Sequence, residues 1–266
     1  MSDPVTPDQN GAFIWYELIT PDPDGAKSFY DAVVGWTIEP RPSGDLDYRM
    51  IGRADGGNAG GVMRLTDDMA SHGARPTWLG YLYADDVDST VAAIEADGGK
   101  ALMPAFDVPD IGRIALVADP QGAPFYVMKP IPSRDRPDEA SDAFSPDRPG
   151  RVSWNELSTS DPVAARTFYA DRFGWEMGEF MDMGERGEYR FIDRQGSRIG
   201  ALCGGMPGQQ PKWRYYFRVA SVSAAKDAAE KGGGTIIMGP MEVPGGDNIV
   251  IGTDPQGAEF ALVGQA

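Results

Sequence analysis

The chain has 266 residues, 41% of them hydrophobic, with 40 acidic against 24 basic side chains and a net charge of −16. That charge excludes nucleic acid and anionic membrane surfaces as expected partners, and no apolar run approaches the roughly 20 residues that a bilayer span needs. The single cysteine, Cys203, excludes an intrachain disulfide. With a polar start, "MSDPVTPDQNG", that has neither a basic nor an apolar leader region, the expected location is a reducing cytoplasm.

Residues 13–19 alternate as a strand should, with Trp15, Glu17 and Ile19 on one face and Ile14, Tyr16 and Leu18 on the other. Asp22-Pro23 supplies an N-cap and a first-turn proline. Ala26, Phe29, Tyr30 and Val33 then fall on one helical face, and Gly35 ends the helix. Extended stretches at "YRMIGR" and "AGGVMRL" follow. The plan restarts with a strand at "TWLGYLYA", a helix marked by Val87, Val91 and Ile94 and closed by Gly98-Gly99, and strands at "KALMPAF", "GRIALVAD" and "APFYVMK" with a turn at "DPQG".

The whole pattern is then written again. "WYELITPDPDGAKSFYDAVVGW" from Trp15 is answered by "WNELSTSDPVAARTFYADRFGW" from Trp154, and 11 of 24 positions agree between residues 13–36 and 152–175. Trp78 pairs with Trp213, and Asp119-Pro120-Gln121-Gly122 with Asp254-Pro255-Gln256-Gly257. The offset falls from 139 to 135 where the second copy shortens the loop "RLTDDMASHGARP". This is a duplicated domain, with copies expected at 12–130 and 150–264. Residues 131–149, rich in Pro, Asp and Ser, read as an extended linker. Each copy is β-α-β-β-β written twice. The expected class is α+β, with tandem domains whose modules form curved, cup-like mixed sheets.

The strand followed by "TPDPDGAKSFY" and "GW", the double glycine after the second helix, and "DPQGAPFYVM" together resemble the vicinal oxygen chelate superfamily. That group contains glyoxalase I, extradiol dioxygenases, methylmalonyl-CoA epimerase and bleomycin-resistance proteins. The resemblance covers nearly the whole chain outside the linker and implies the fold more strongly than the chemistry. It also implies a divalent metal held in each cup by His, Glu or Gln. Those positions fall here on Trp15, Leu79 and Tyr126 in the first copy, and on Trp154, Arg214 and Ala261 in the second. None is a usual ligand. The only histidine, His72, lies in the loop that the second copy shortens and reads as a solvated loop residue. No metal and no other cofactor is therefore expected. The HExxH, paired CxxC, P-loop and GxSxG patterns are absent as well.

Glu17 and Glu156 stand two residues after Trp15 and Trp154 and share their faces. They are the candidate catalytic or ligand-pairing carboxylates. Trp15, Trp78, Tyr81 and Tyr126 in the first copy, and Trp154, Trp213 and Arg214 in the second, are the candidate ligand-binding residues. Arg214 is placed to occupy its cup and neutralise Glu156, leaving Glu17 the stronger site residue. The leading expectation is a metal-free small-molecule-binding protein of the bleomycin-resistance type, sequestering an aromatic or cationic compound. The alternative is an enzyme: a lyase or isomerase using Glu17 or Glu156 as base, or a dioxygenase-like protein with a remapped metal site. A filled, structural pair of cups is the third reading. With four modules in one chain, the protein is expected to be a monomer or a homodimer.

Overall fold

The computed structural model describes residues 9–132, 140–206 and 208–266. The first copy runs β1 (Phe13–Thr20), α1 (Pro23–Val34), β2 (Thr37–Ile38), β3 (Tyr48–Gly52) and β4 (Asn58–Arg64). After a short helix, α2 (Asp67–Ser71), it continues with β5 (Thr77–Tyr83), α3 (Val87–Ala96), β6 (Lys100–Val108), β7 (Gly112–Ala118) and β8 (Pro124–Pro130). The second copy repeats this as β9 (Val152–Thr159), α4 (Pro162–Phe173), β10 (Phe180–Asp182), β11 (Glu188–Arg194) and β12 (Ser197–Gly204). Its second module is β13 (Lys212–Val219), α5 (Val222–Lys231), β14 (Thr235–Glu242), β15 (Asn248–Thr253) and β16 (Glu259–Gly264). Four β-α-β-β-β modules are thus present, as the periodicity predicts. They form two eight-stranded mixed sheets, ordered β2-β3-β4-β1-β5-β8-β7-β6 and β10-β11-β12-β9-β13-β16-β15-β14.

The helix boundaries have local causes. The Asp22 carboxylate accepts from Gly25 N–H, and Asp161 does the same for Val163 and Ala164, each satisfying N–H groups that a helix start leaves unpaired. Gly35 and Gly174 end these helices in the left-handed conformation. The double glycine after α5 divides two tasks. Gly233 takes φ 87°, and a Cβ on Gly234 would stand 2.8 Å from the Phe29 ring.

Two compact units emerge, and each draws on both copies. Among the described residues, one comprises 9–14, 81–132, 140–141, 156–206 and 208–213; the other comprises 15–80, 142–155 and 214–266. In the second of these, α1 packs with α5, and Phe29, Tyr30, Trp36, Trp78, Phe217 and Phe260 interlock edge-to-face. In the first, α3 meets α4, and Phe125, Tyr169, Phe173, Trp175 and Trp213 form the matching cluster. Each buried aromatic of this kind contributes roughly 1.5–3 kcal/mol of transfer free energy.

The segment read as an extended linker is anchored at its C-terminal end. Ser141 Oγ donates to Ile14 O, Ala143 is buried, and Phe144 bridges to Val152. Asp142 is the reason it docks. Its carboxylate accepts from Arg53 at 2.7 Å and from Arg151 at 2.6 Å, two guanidinium groups that are themselves buried. Residues 133–139 of the same stretch lie outside the described residues.

Candidate functional site

β1 carries Trp15 and Glu17 on one face and Tyr16 on the other. Glu17 is 1% exposed and stands opposite Gly61 in the parallel β1–β4 ladder. Trp15 is half-buried, and its Nε1 donates to Tyr48 Oη at 2.9 Å. Tyr48 comes from β3, on the far side of β4, and its ring crosses over Gly61: a Cβ there would lie 2.2 Å from the phenol oxygen. Only glycine leaves that path open. An indole, a carboxylate and a phenol therefore share one face across three adjacent strands.

The corresponding residues of the second copy are wired differently. Glu156 is 8% exposed and accepts from Tyr189 Oη at 2.9 Å. Trp154 packs against the apolar cluster of Tyr216, Ile249, Ile251, Ala261 and Val263. Arg214 Nε is bonded to Glu259 at 2.7 Å.

Tyr81 and Tyr126 face each other as register partners of β5 and β8, stacked with centroids 4.2 Å apart. Both are buried. Their counterparts in the β13–β16 ladder are Tyr216 and Ala261, so the second copy replaces a stacked pair by a ring over a methyl group.

Trp78 and Trp213, expected to face a ligand, are both buried. Trp78 Nε1 donates to Tyr30 Oη at 3.0 Å, and Tyr30 Oη donates to Asp254 at 3.0 Å. In the other unit Trp213 Nε1 donates to Tyr169 Oη, which donates to Asp119 at 3.1 Å. Strand alternation explains the difference, because Trp78 is three residues from Tyr81 and so points to the opposite side of β5. The "DPQG" turns thus serve the core. Each aspartate accepts turn N–H groups with one oxygen and the tyrosine with the other. Burial raises the carboxyl pKa of Asp119 and Asp254 despite those bonds, and burial raises the Tyr30 phenol as well.

Sequence reasoning missed Tyr48 and Tyr189. The signal was present in "YRMIGR" and "YRFIDR", which recur at a spacing of 141 rather than 139.

A cleft of about 370 Å³ opens beside Trp36, Arg53, Asp55, Arg148, Gly150 and Arg151, away from these faces. Arg53 and Arg151 are engaged by Asp55 and Asp142.

The donor set does not suit a divalent metal. Among the described residues no group of three or more His, Cys, Asp or Glu side chains converges. His72 sits exposed at the end of α2, hydrogen-bonded to Asp68 of its own turn. Also among the described residues, no helix is long and apolar enough to cross a membrane.

The family model of the Glyoxalase/Bleomycin resistance protein/Dioxygenase superfamily matches residues 12–127 and 151–262. The chain belongs to this superfamily. It is 31% identical over 252 residues to the Mycobacterium bovis protein named "Putative glyoxylase CFP32", covering 94% of this chain and 93% of that one. It is 30% identical over 270 residues to the anthracycline biosynthesis protein DnrV of Streptomyces peucetius, covering 95% and 93%. The Mn(II)-bound glyoxalase of Novosphingobium aromaticivorans has a similar fold, with TM-score 0.64 and 18% identity over 96% of this chain and 83% of that chain.

Proposed function

We propose that the protein binds a small aromatic or cationic molecule without a metal, using Glu17 and Glu156 as the polar anchors. The observation that carries this reading is the face that Trp15, Glu17 and Tyr48 share across β1, β4 and β3, together with the Tyr189–Glu156 bond between β11 and β9. Such a face offers an anion and a hydroxyl beside aromatic surface, which suits a flat ring bearing a hydroxyl or an ammonium group. The relative named for anthracycline biosynthesis supports a small-molecule reading, and an anthracycline amine serves as the probe. Sequestration needs no metal, and the donor set supports that. The protein acts in the cytoplasm as a monomer or homodimer.

A second reading has one observation in its favour. A buried carboxylate bonded to a phenol is also an acid–base pair, and Glu156 with Tyr189 forms one. In that case the protein is a lyase or isomerase with the glutamate as base.

Glu17→Gln and Glu156→Gln test both. The substitution keeps size and removes charge, so binding of an anthracycline amine, followed by fluorescence, should weaken by roughly tenfold or more. Unchanged affinity in both variants removes the carboxylates from the site. Turnover by wild type that disappears in Glu156→Gln favours the enzyme.

A further inference from the structure

We infer that the cleft beside Trp36 is a binding site for a small monocarboxylate with an apolar body, anchored by Arg148. The inference does not depend on the reading of Glu17 and Glu156. The cleft holds about 370 Å³, within the range of small-molecule pockets, and Val34, Trp36 and Pro149 give it apolar walls. Arg53, Arg148 and Arg151 line the same space, in a chain whose net charge is −16.

Counting charge separates these arginines. Asp55 and Asp142 each bridge Arg53 and Arg151, at distances between 2.6 and 3.1 Å. Arg53 also donates to Asn58 O, and Arg151 to Asp142 O. These two guanidinium groups are buried and neutralised. Arg148 is the remainder. Its Nη1 stands 3.9 Å from Asp142 Oδ2, beyond hydrogen-bond length, and its side chain is 63% exposed. The neighbouring Asp147 accepts from Ser145 Oγ and does not line the cleft. Three guanidinium groups against two carboxylates leave one positive charge.

The duplication shows that the frame does not require this charge. Trp36 Nε1 donates to Gly150 O at 2.8 Å, and its counterpart Trp175 donates to Gly11 O at 2.9 Å, so both copies close the same corner. Arg53 has a counterpart in Arg194, which donates to Asn10 O. Where one corner carries Arg148 and Arg151, the other carries Gln9 and Ala12, 139 positions earlier. Two of the three cations therefore belong to one corner only. A single uncompensated guanidinium suits a planar monoanion, which it can grip with two parallel hydrogen bonds. A phosphate dianion needs more donors, and those of Arg53 and Arg151 are committed to the aspartates.

Benzoate, its neutral isostere benzamide and inorganic phosphate are the probes, titrated by calorimetry against wild type, Arg148→Gln and Ala54→Phe. Arg148 and Ala54 are both exposed, and Ala54 lines the cleft, so a larger side chain there fills it. Wild type should bind benzoate with a dissociation constant of about 1 mM or tighter, and about tenfold more tightly than benzamide. Arg148→Gln should lose about tenfold in benzoate affinity and close the gap to benzamide, and Ala54→Phe should weaken benzoate by a similar factor. Thermal unfolding identifies a variant that fails to fold, and the other then decides. Wild type that does not bind benzoate overturns the inference, as does a folded variant that binds it as tightly as wild type. Phosphate bound more tightly than benzoate, or benzamide bound equally well, overturns the monocarboxylate assignment.

Discussion

A single hydroxyl ties together a tryptophan, a tyrosine and an aspartate in each unit. Tyr30 accepts from Trp78 and donates to Asp254, so Tyr30→Phe removes one oxygen and leaves two buried polar groups short of a partner. Trp78 is 4% exposed and Asp254 3% exposed, so water reaches neither readily. An unsatisfied buried group costs about 1–3 kcal/mol, and urea denaturation of Tyr30→Phe should show a loss of that size with an unchanged m-value. Stability within 0.5 kcal/mol of wild type (roughly the effect of a surface substitution) would show the hydroxyl to be dispensable. At this scale the sequence was half legible. Glu17 and Glu156 could be found because Trp-x-Glu recurs within one strand. Tyr48 and Tyr189 could not be read as partners of that strand, because the Trp15–Tyr48 and Tyr189–Glu156 bonds each cross a neighbouring strand. Where Trp78 and Trp213 pack was not legible for a related reason: alternation along a strand gives two faces, and nothing local says which face meets a helix.

At the scale of elements, helices and strands were legible wherever a period and a cap coincided, as at Asp22-Pro23 and Asp161-Pro162. The docked end of the linker was not, because its Pro, Asp and Ser composition is that of a free chain and only the arginines at 53 and 151 hold it. The Arg151 guanidinium holds the Asp55 carboxyl well below the usual carboxylate range, helped by Gly57 N–H and Arg53. For Asp142, burial alone would raise the pKa, but hydrogen bonds from Arg151 and Arg53 outweigh it and the net shift is downward. A lowered folded-state pKa contributes stability that is present above the unfolded value, near pH 4, and is lost as pH falls through the folded one. Asp119 and Asp254, shifted upward, act in the opposite sense and are relieved as pH falls. Asp142→Asn should therefore lower stability at pH 7, on the order of 1 kcal/mol because the carboxylate is half exposed. The gap to wild type should close below about pH 4. Denaturation midpoints that differ equally at pH 7 and pH 3 would show that charge is not what docks the segment.

The duplication was plain in the sequence, but the exchange of modules between copies was not, because it rests on contacts as distant as Tyr30 with Asp254, 224 residues apart. That exchange has a physical consequence where equivalent positions touch. Tyr16 donates to Asn155, its own counterpart 139 residues on, and Gly80 N–H donates to Tyr215, its counterpart 135 residues on. Tyr16 and Tyr215 meet edge-to-face with centroids 5.1 Å apart. Positions that meet their own counterparts cannot both be large, and here each large residue faces a smaller one: Tyr against Asn, and Tyr against Gly. Two identical first copies would bring Tyr16 against Tyr16 and Gly80 against Gly80, crowding one contact and emptying the other. Two second copies would crowd Tyr215 against itself. The chain cut between its copies, with residues 1–132 and 140–266 expressed as separate polypeptides, should therefore assemble one-to-one rather than as either homodimer, since Phe29, Tyr30 and Phe260 on one side, and Phe125 and Tyr169 on the other, need both copies to be covered. Native mass spectrometry of the co-expressed pieces should find the heterodimer dominant, and Tyr215→Gly should erode that preference by removing one of the two large residues. Each piece folding alone as a stable monomer, or the two homodimers forming as readily as the mixed pair, would show that the copies are independent domains and that the exchange does not hold the molecule together.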